Sequence, residues 1–272
     1  GILVFLPQVR LPAGRIISAV APRVPSLRST LAWSVAFVAL IVVASQVLSE
    51  FWIFNIGLAL ALAIVVLSLV LLSGFAGQIS LMQMTFVGIG ALVAGRMVGT
   101  GSIFGILLAG VITAIAGAIV AMPALRLQAL YLALATFAFA LFSDWAFNQT
   151  WGFSQGGSLL VPRLKLPGVA FRSEESQMVL LAIAFSLFGV LVLAIRRGPY
   201  GRRLAALRDS PVAASMLGMN LVAAKTTVFA LSAGIAGMGG ALFAGLQATV
   251  SPSDFNPIKS LFLFLVATFG GI

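Results

Sequence analysis

The chain contains no cysteine and no histidine. The first absence excludes disulfides and thiolate metal centres. The second removes haem ligation, zinc sites of the usual type and histidine proton relays. Charge is scarce as well: Asp, Glu, Lys and Arg make up 8% of 272 residues, where a soluble domain averages about 25%. There is no Gly-x-x-x-x-Gly-Lys-Ser/Thr loop, and Lys165, Lys225 and Lys259 all stand in other contexts. ATP hydrolysis through such a loop is therefore not this chain's own chemistry. The chain also has no initiator Met and no signal peptide, and it stops at Gly270-Gly271-Ile272 within an apolar run. We expect an excised piece of a longer protein.

What is present is apolar. Hydrophobic residues reach 61% and the mean hydropathy is +1.16. Several runs have the roughly 20 residues that cross a bilayer as a helix. The expected fold is an all-α polytopic transmembrane helical bundle. The net charge of +10 invites a nucleic-acid reading. It is set aside because the basic residues flank apolar spans, where they orient a membrane protein.

Residues 1–9 look like the end of an earlier helix. Arg10, Arg15, Arg23 and Arg28 with Pro12, Pro22 and Pro25 form a basic, Pro-rich linker. Residues 1–29 are thus read as a helix end plus cytoplasmic linker, and 30–272 as the transmembrane domain, incomplete at its C-terminus. Spans are predicted at about 31–48, 51–72, 103–121, 127–147, 176–195 and 221–249, the last too long for one straight crossing, with a helix at about 80–98 after a broken segment. The cluster Gly234, Gly237, Gly239 and Gly240 predicts tilt or a bend there. With the linker inside, Arg126, Arg196, Arg197, Arg202, Arg203 and Arg208 join the linker arginines in the cytoplasm, with Lys225 at the edge. Only Arg96, Arg163, Lys165, Arg172 and Lys259 fall outside. The positive-inside rule supports this orientation and puts 196–220 in the cytoplasm.

The segment 74–90 interrupts this pattern with Gly74, Gly77, Gln78 and Ser80 inside apolar sequence. Lipid offers no partner to a freed backbone N–H or C=O, so a broken helix at depth must be buried in protein or line a cavity. Transporters build substrate paths from such breaks near the bilayer midplane. Gly74, Gly77, Gln78, Ser80, Gln83 and Thr85 are the candidate substrate pathway. Freed backbone groups at the glycines and the Gln and Ser side chains could hold a zwitterion's ends. The competing reading is close helix packing by small residues. It applies equally to the glycines of 234–240. A large apolar substrate side chain would meet Met82, Met84, Phe86 and Phe137, which serve as well for plain core contacts. Arg96, Asp144, Lys225 and Lys259 lie near span ends, where a structural role suffices.

Residues 196–220 begin with a break at Gly198-Pro199 and continue as a short basic helix. Ser210 can cap the next helix, Pro211 suits its first position, and Gly218 can end it in the left-handed conformation. The product is a helix over 211–217 that shows Ala213, Ala214, Met216 and Leu217. It is either a docking knob for a partner's groove or an interfacial helix on lipid.

These residues also carry a resemblance. Residues 74–81, followed by Phe86-Val87-Gly88-Ile89-Gly90-Ala91, resemble a segment of the membrane subunits of ATP-binding cassette importers for branched-chain amino acids, in the second of their two permease types. Leu125-Arg126-Leu127 with Tyr131-Leu132-Ala133 and Thr136-Phe137-Ala138-Phe139, the stretch Gly201–Asn220, and Val250-Ser251-Pro252 through Gly271 resemble further segments in the same order. The likeness covers about 30–272. Met82-Gln83 stand where the family usually has Gly-His, and Val212-Ala213-Ala214 where the wider superfamily has Glu-Ala-Ala. Phe153 to Ser158 match the external glycine-rich loop only loosely.

The resemblance implies a non-enzymatic translocation subunit in a bacterial-type inner membrane. Its implied partners are two ATPase subunits that bind ATP and Mg, a homologous permease half and an external binding protein; no cofactor is implied in this chain itself. Residues 211–217 would be the coupling helix. Arg202, Arg203, Arg208, Asp209, Ala213, Ala214 and Gly218 would engage the ATPase. The solute would be a branched-chain amino acid, with urea, short amides or another small solute as the alternative. Residues 1–9 resemble the C-terminus of the first permease type, so a fused parent chain is expected. An ion-coupled transporter would need a membrane carboxylate, for which Asp144 is the sole candidate. A pure scaffold leaves the broken helix unexplained.

Overall fold

The computed structural model describes residues 26–98, 102–124, 129–149, 157–163, 165–166, 169–170 and 173–270. The helix end at 1–9, the linker arginines before Arg28, the turn at 99–101, Arg126, residues 150–156 and Gly271 lie outside the described residues. Ten α-helices are described: α1 Leu27–Ser45, α2 Glu50–Leu69, α3 Gln83–Leu92, α4 Ile103–Ala124, α5 Ala129–Gln149, α6 Glu174–Arg197, α7 Pro199–Asp209, α8 Pro211–Met216, α9 Leu221–Gln247 and α10 Pro257–Phe269. Six helices are long and apolar enough to cross a membrane: α1, α2 with its extension to Phe75, and α4, α5, α6 and α9. The result is an all-α polytopic helical bundle.

Helix α9 is the hub. It packs on α2, α3 and α4, while α6 packs on α1 and α2. Its sequence is apolar on every side, as a helix buried all round must be, and nearly every residue from Val228 to Leu246 is buried. Small residues allow the close approach. A Cβ on Gly90 would overlap the Gly237 carbonyl, one on Gly240 would overlap the Val87 carbonyl, and one on Gly237 would overlap the Thr113 side chain. Helix α9 runs through the Gly234–Gly240 cluster as one continuous helix. These glycines serve packing.

Helix α2 does not end where its apolar run suggests. It widens into a π-helical turn, Val70–Phe75, before the chain unwinds. Helix α3 then starts at Gln83, later than the expected Ser80. Neighbouring side chains explain the delay. Thr136 Oγ1 of α5 accepts from the Leu81 N–H at 3.1 Å, and Ser260 Oγ of α10 accepts from the Met84 N–H at 2.9 Å.

At one end of the bundle, β1 (Leu159–Leu160) pairs antiparallel with β4 (Thr249–Val250), after β2 (Lys165–Leu166) has paired with β3 (Val169–Ala170). The 3-10 turn Pro252–Phe255 is fixed by a capping box between Ser251 and Asp254. Asn256 caps α10 with Pro257 at its first position, as expected. Lys259 Nζ donates to the Asp254 carbonyl at 3.0 Å, a structural role. The opposite end carries α7 and α8.

The hub generates a stability test. Gly240→Val and Gly90→Val force a side chain against backbone that cannot yield, so each should cost at least the about 1–3 kcal/mol of ordinary overpacking. Gly245→Ala meets nothing within 4 Å and should leave stability unchanged. Melting of detergent-solubilised protein, followed by size-exclusion chromatography, separates the two outcomes.

Candidate functional site

The unwound segment between α2 and α3 starts beside α7 and leads into the middle of the bundle. At its start, Ser73 Oγ donates to the Gln78 carbonyl at 2.9 Å, and the Gly77 and Gln78 N–H groups donate to the Ser73 and Leu72 carbonyls. Gly77 holds φ +64°, a left-handed turn that suits glycine. The Gly74 carbonyl accepts from Arg208 Nη1 of α7. At its inner end, Gln83 Nε2 donates to Ser232 Oγ of α9 at 3.0 Å, and Ser232 Oγ donates to the Ser68 carbonyl of α2 at 2.7 Å. The break expected near the midplane is thus a ramp, from the α7 end of α2 up to the level of Ser68 and Ser232.

Of the six expected pathway residues, two groups emerge. Gly74 and Gly77 form the elbow, and the Gly77 N–H and Gly74 carbonyl are already hydrogen-bonded. They are not the free backbone groups the sequence led us to expect. Gln78, Ser80 and Gln83 are buried, with exposures of 4%, 0% and 0%. Gln78 Nε2 and Oε1, Ser80 Oγ and Gln83 Oε1 have no hydrogen-bond partner among the described residues. Buried polar atoms are ordinarily paired, so each such exception calls for a reason. Thr85 is buried on α3. Met82, Met84 and Phe86 are core: all three are buried, and Phe86 stacks edge-on against Phe229 at 6.1 Å.

The sequence did not single out Ser68, Ser73, Thr136, Ser232 or Ser260, which support the ramp. Their signal is weak: single small hydroxyl residues inside apolar spans, each able to bond its own helix. Asp144 lies near the C-terminal end of α5, away from the ramp residues in sequence and in hydrogen bonding.

At the α7 end the expected caps are in place. Ser210 Oγ accepts from the Ala213 N–H at 3.3 Å with Pro211 at the first helical position. Gly218 holds φ +82°, and the Met219 N–H donates to the Ala214 carbonyl at 3.1 Å, as at a left-handed helix stop. One face differs from expectation. Ala214 turns inward and is buried, while Val212, Met216 and Leu217 project outward, Met216 and Leu217 more than 80% exposed. Arg202, Arg203, Asp209 and Ala213 are exposed. Arg208 is exposed as well, and its guanidinium also reaches the Gly74 carbonyl. Tyr200 Oη donates to the Ala224 carbonyl at 3.2 Å. Burial pushes the Tyr200 phenol above its ordinary value, against a smaller lowering by Thr227. It therefore stays a neutral donor near neutral pH.

Six helices long and apolar enough to cross a membrane, with a broken polar segment packed among them, define a polytopic helical membrane protein. The chain belongs to the family described as branched-chain amino acid transport system, permease component, which matches residues 51–272. It is similar to two proteins named high-affinity branched-chain amino acid transport system permease protein LivM, from Salmonella typhimurium and Escherichia coli. Each is 29% identical over 192 residues, covering 61% of this chain and 45% of the relative. The chain thus spans less than half the length of these curated relatives. No solved structure matches it significantly.

The ramp makes opposite demands on neighbouring amides. Gln78→Leu removes two unpartnered polar atoms, so it should leave thermal stability equal or higher. Gln83→Leu strips Ser232 of its donor and should cost about 1 kcal/mol. Paired melting curves of the two variants check this; a loss at Gln78 matching that at Gln83 contradicts the assignment.

Proposed function

We propose that the chain is a membrane-spanning permease half of an ATP-driven importer for branched-chain, hydrophobic amino acids. The observation that supports it most is the set of buried, unpartnered polar atoms on Gln78, Ser80 and Gln83. They sit within a family of branched-chain amino acid permeases. Carrying such groups in an apolar interior costs stability, and a solute that hydrogen-bonds to them offsets that cost. An amide presents both a donor and an acceptor, which suits the ammonium and carboxylate of a zwitterion. None of these side chains is open to solvent, so the ramp is closed in this conformation and alternating access must open it.

On this reading the α7–α8 end is cytoplasmic, in accord with the arginines at 196, 197, 202, 203 and 208. Met216, Leu217 and Val212 on α8 are the knob for an ATPase groove, with Arg202, Arg203 and Asp209 as polar contacts at its base. Gly218 holds the knob's end. Two ATPase subunits bind ATP and Mg and supply the hydrolysis. A homologous permease half completes the path, and an external binding protein delivers the solute. The membrane is a bacterial-type inner membrane.

The test is uptake into proteoliposomes holding the full-length permease pair and its ATPases, with ATP inside, binding protein outside and labelled leucine. The expected result is ATP-dependent uptake that isoleucine and valine block and urea does not. Gln78→Leu should lower it at least tenfold. ATP-dependent uptake of urea or short amides alone would keep the importer and discard the solute. Uptake driven by an ion gradient without ATP would overturn the reading. In the same system, Gly218→Pro cannot adopt φ +82°; it should abolish ATPase association while membrane insertion persists.

A further inference from the structure

We propose that Arg208 is a positioning residue that ties α7 to the unwound end of α2, so that movement of the α7–α8 elbow is delivered directly to the ramp. The proposal rests on the importer reading above and deepens it. Three separate observations place the tie. Arg208 Nη1 donates to the Gly74 carbonyl, where the π turn of α2 leaves backbone without its own helix partner. The aliphatic stem of Arg208 lies over Gly77, where a Cβ would sit 3.3 Å from Arg208 Cγ and 3.9 Å from its Cβ. Arg196, at the end of α6, places its guanidinium 5.2 Å from the centre of the Phe75 ring, a cation–π contact. Two arginines, one ending α6 and one near the end of α7, thus hold the start of the break at Gly74, Phe75 and Gly77.

The corner itself has little freedom. Gly201 packs so tightly that a Cβ there would overlap the Arg196 carbonyl. Leu204 and Leu207 of α7 are buried, and Tyr200 bonds α7 to α9. Helix α7 therefore moves with α6 and α9, and α8 follows it across the single residue Ser210. A push on Met216 and Leu217 reaches Gly74 through Arg208 rather than dissipating in a loop. Arg208 is well suited to this: its planar, permanently charged head donates to the carbonyl while its stem covers the glycine.

The functional signature is uncoupling rather than loss of partners. In proteoliposomes with the full-length permease pair, its ATPases and binding protein, Arg208→Ala should keep ATP hydrolysis within twofold of wild type. Leucine taken up per ATP hydrolysed should fall at least tenfold. Arg208→Lys, which keeps a charged donor on a flexible stem, should recover part of that ratio.

The absence of cysteine from the chain permits a second, folding-independent arm. The Cβ separation of 3.9 Å between positions 77 and 208 falls within the about 3.5–4.5 Å of a disulfide. Gly77→Cys alone places a Cβ at φ +64° and is the reference; adding Arg208→Cys, in a complex otherwise free of cysteine, should lower uptake per ATP below that reference when reduced. The double variant should regain uptake per ATP when oxidised, because a covalent tie replaces the guanidinium. A misfolded variant would not be restored by oxidation. A normal ratio in Arg208→Ala, or oxidation that leaves the double variant uncoupled or arrests it, would overturn the tie. Failure of the wild-type complex to take up solute with ATP would instead overturn the importer reading.

Discussion

The rest of the structure depends on one constraint: inside a bilayer, a backbone N–H or C=O that leaves a helix must find a partner in protein. The chain leaves helical geometry between Phe75 and Gln83, in the middle of its apolar sequence. The freed groups are met by short polar side chains from elements far apart in sequence. Ser73 comes from the π turn, Thr136 from α5, Ser260 from α10 and Arg208 from α7. Thr136 is tied to its own helix as well, through the Ala133 carbonyl. The break is therefore a joint that the whole bundle holds.

That joint requires close packing around it. Ser232 can reach both Gln83 and Ser68 only because α9 lies between α2 and α3. The glycines that let carbonyls of α3 and α9 meet Cα surfaces directly bring this about. Hydrophobic association gives little drive between helices surrounded by lipid, so shape and small residues carry the stability. The residues that determine the packing are thus the ones that place the polar ramp. A mutation in the glycine seam and one in the ramp act on the same geometry.

Much of this was legible from the sequence. Spans read from apolar runs fall on helices, with ends shifted by a few residues, while the helix expected over 80–98 is a 10-residue α-helix continued by a π turn, Val93–Val98. Ser210-Pro211 and Asn256-Pro257 announced helix starts because capping is local chemistry. Gly218 announced a stop for the same reason. The elbow at Gly74–Gly77 was visible as Gly-x-x-Gly with a polar pair behind it. What stayed hidden depends on tertiary contact. No local signal marks the π turn at Val70–Phe75. The late start of α3 depends on Thr136 and Ser260, which the sequence places far away. The inward turn of Ala214 follows from how α8 leans on α9, and two adjacent alanines look alike in sequence. Arg208 is exposed, as an arginine near a membrane end usually is; what the sequence did not show is its bond to Gly74. Its partner is a carbonyl, which leaves no trace in side-chain pattern.

The distribution of satisfied and unsatisfied groups along the ramp is itself informative. The Gly74 carbonyl and the N–H groups of Gly77, Gln78, Leu81 and Met84 are paired. The unpaired atoms are on side chains, at Gln78, Ser80 and Gln83. A defect of folding would show the reverse, because backbone groups cannot rotate away from a poor position and side chains can. Bonding the main chain at these points while leaving amide and hydroxyl groups unspent keeps the segment's shape fixed and its binding capacity free. A solute that engages these groups then gains hydrogen bonds without breaking any that hold the joint. Its arrival need not unfold the ramp. Movement can come from outside, through the rigid corner at α6–α7, and act on a segment whose internal bonds stay intact.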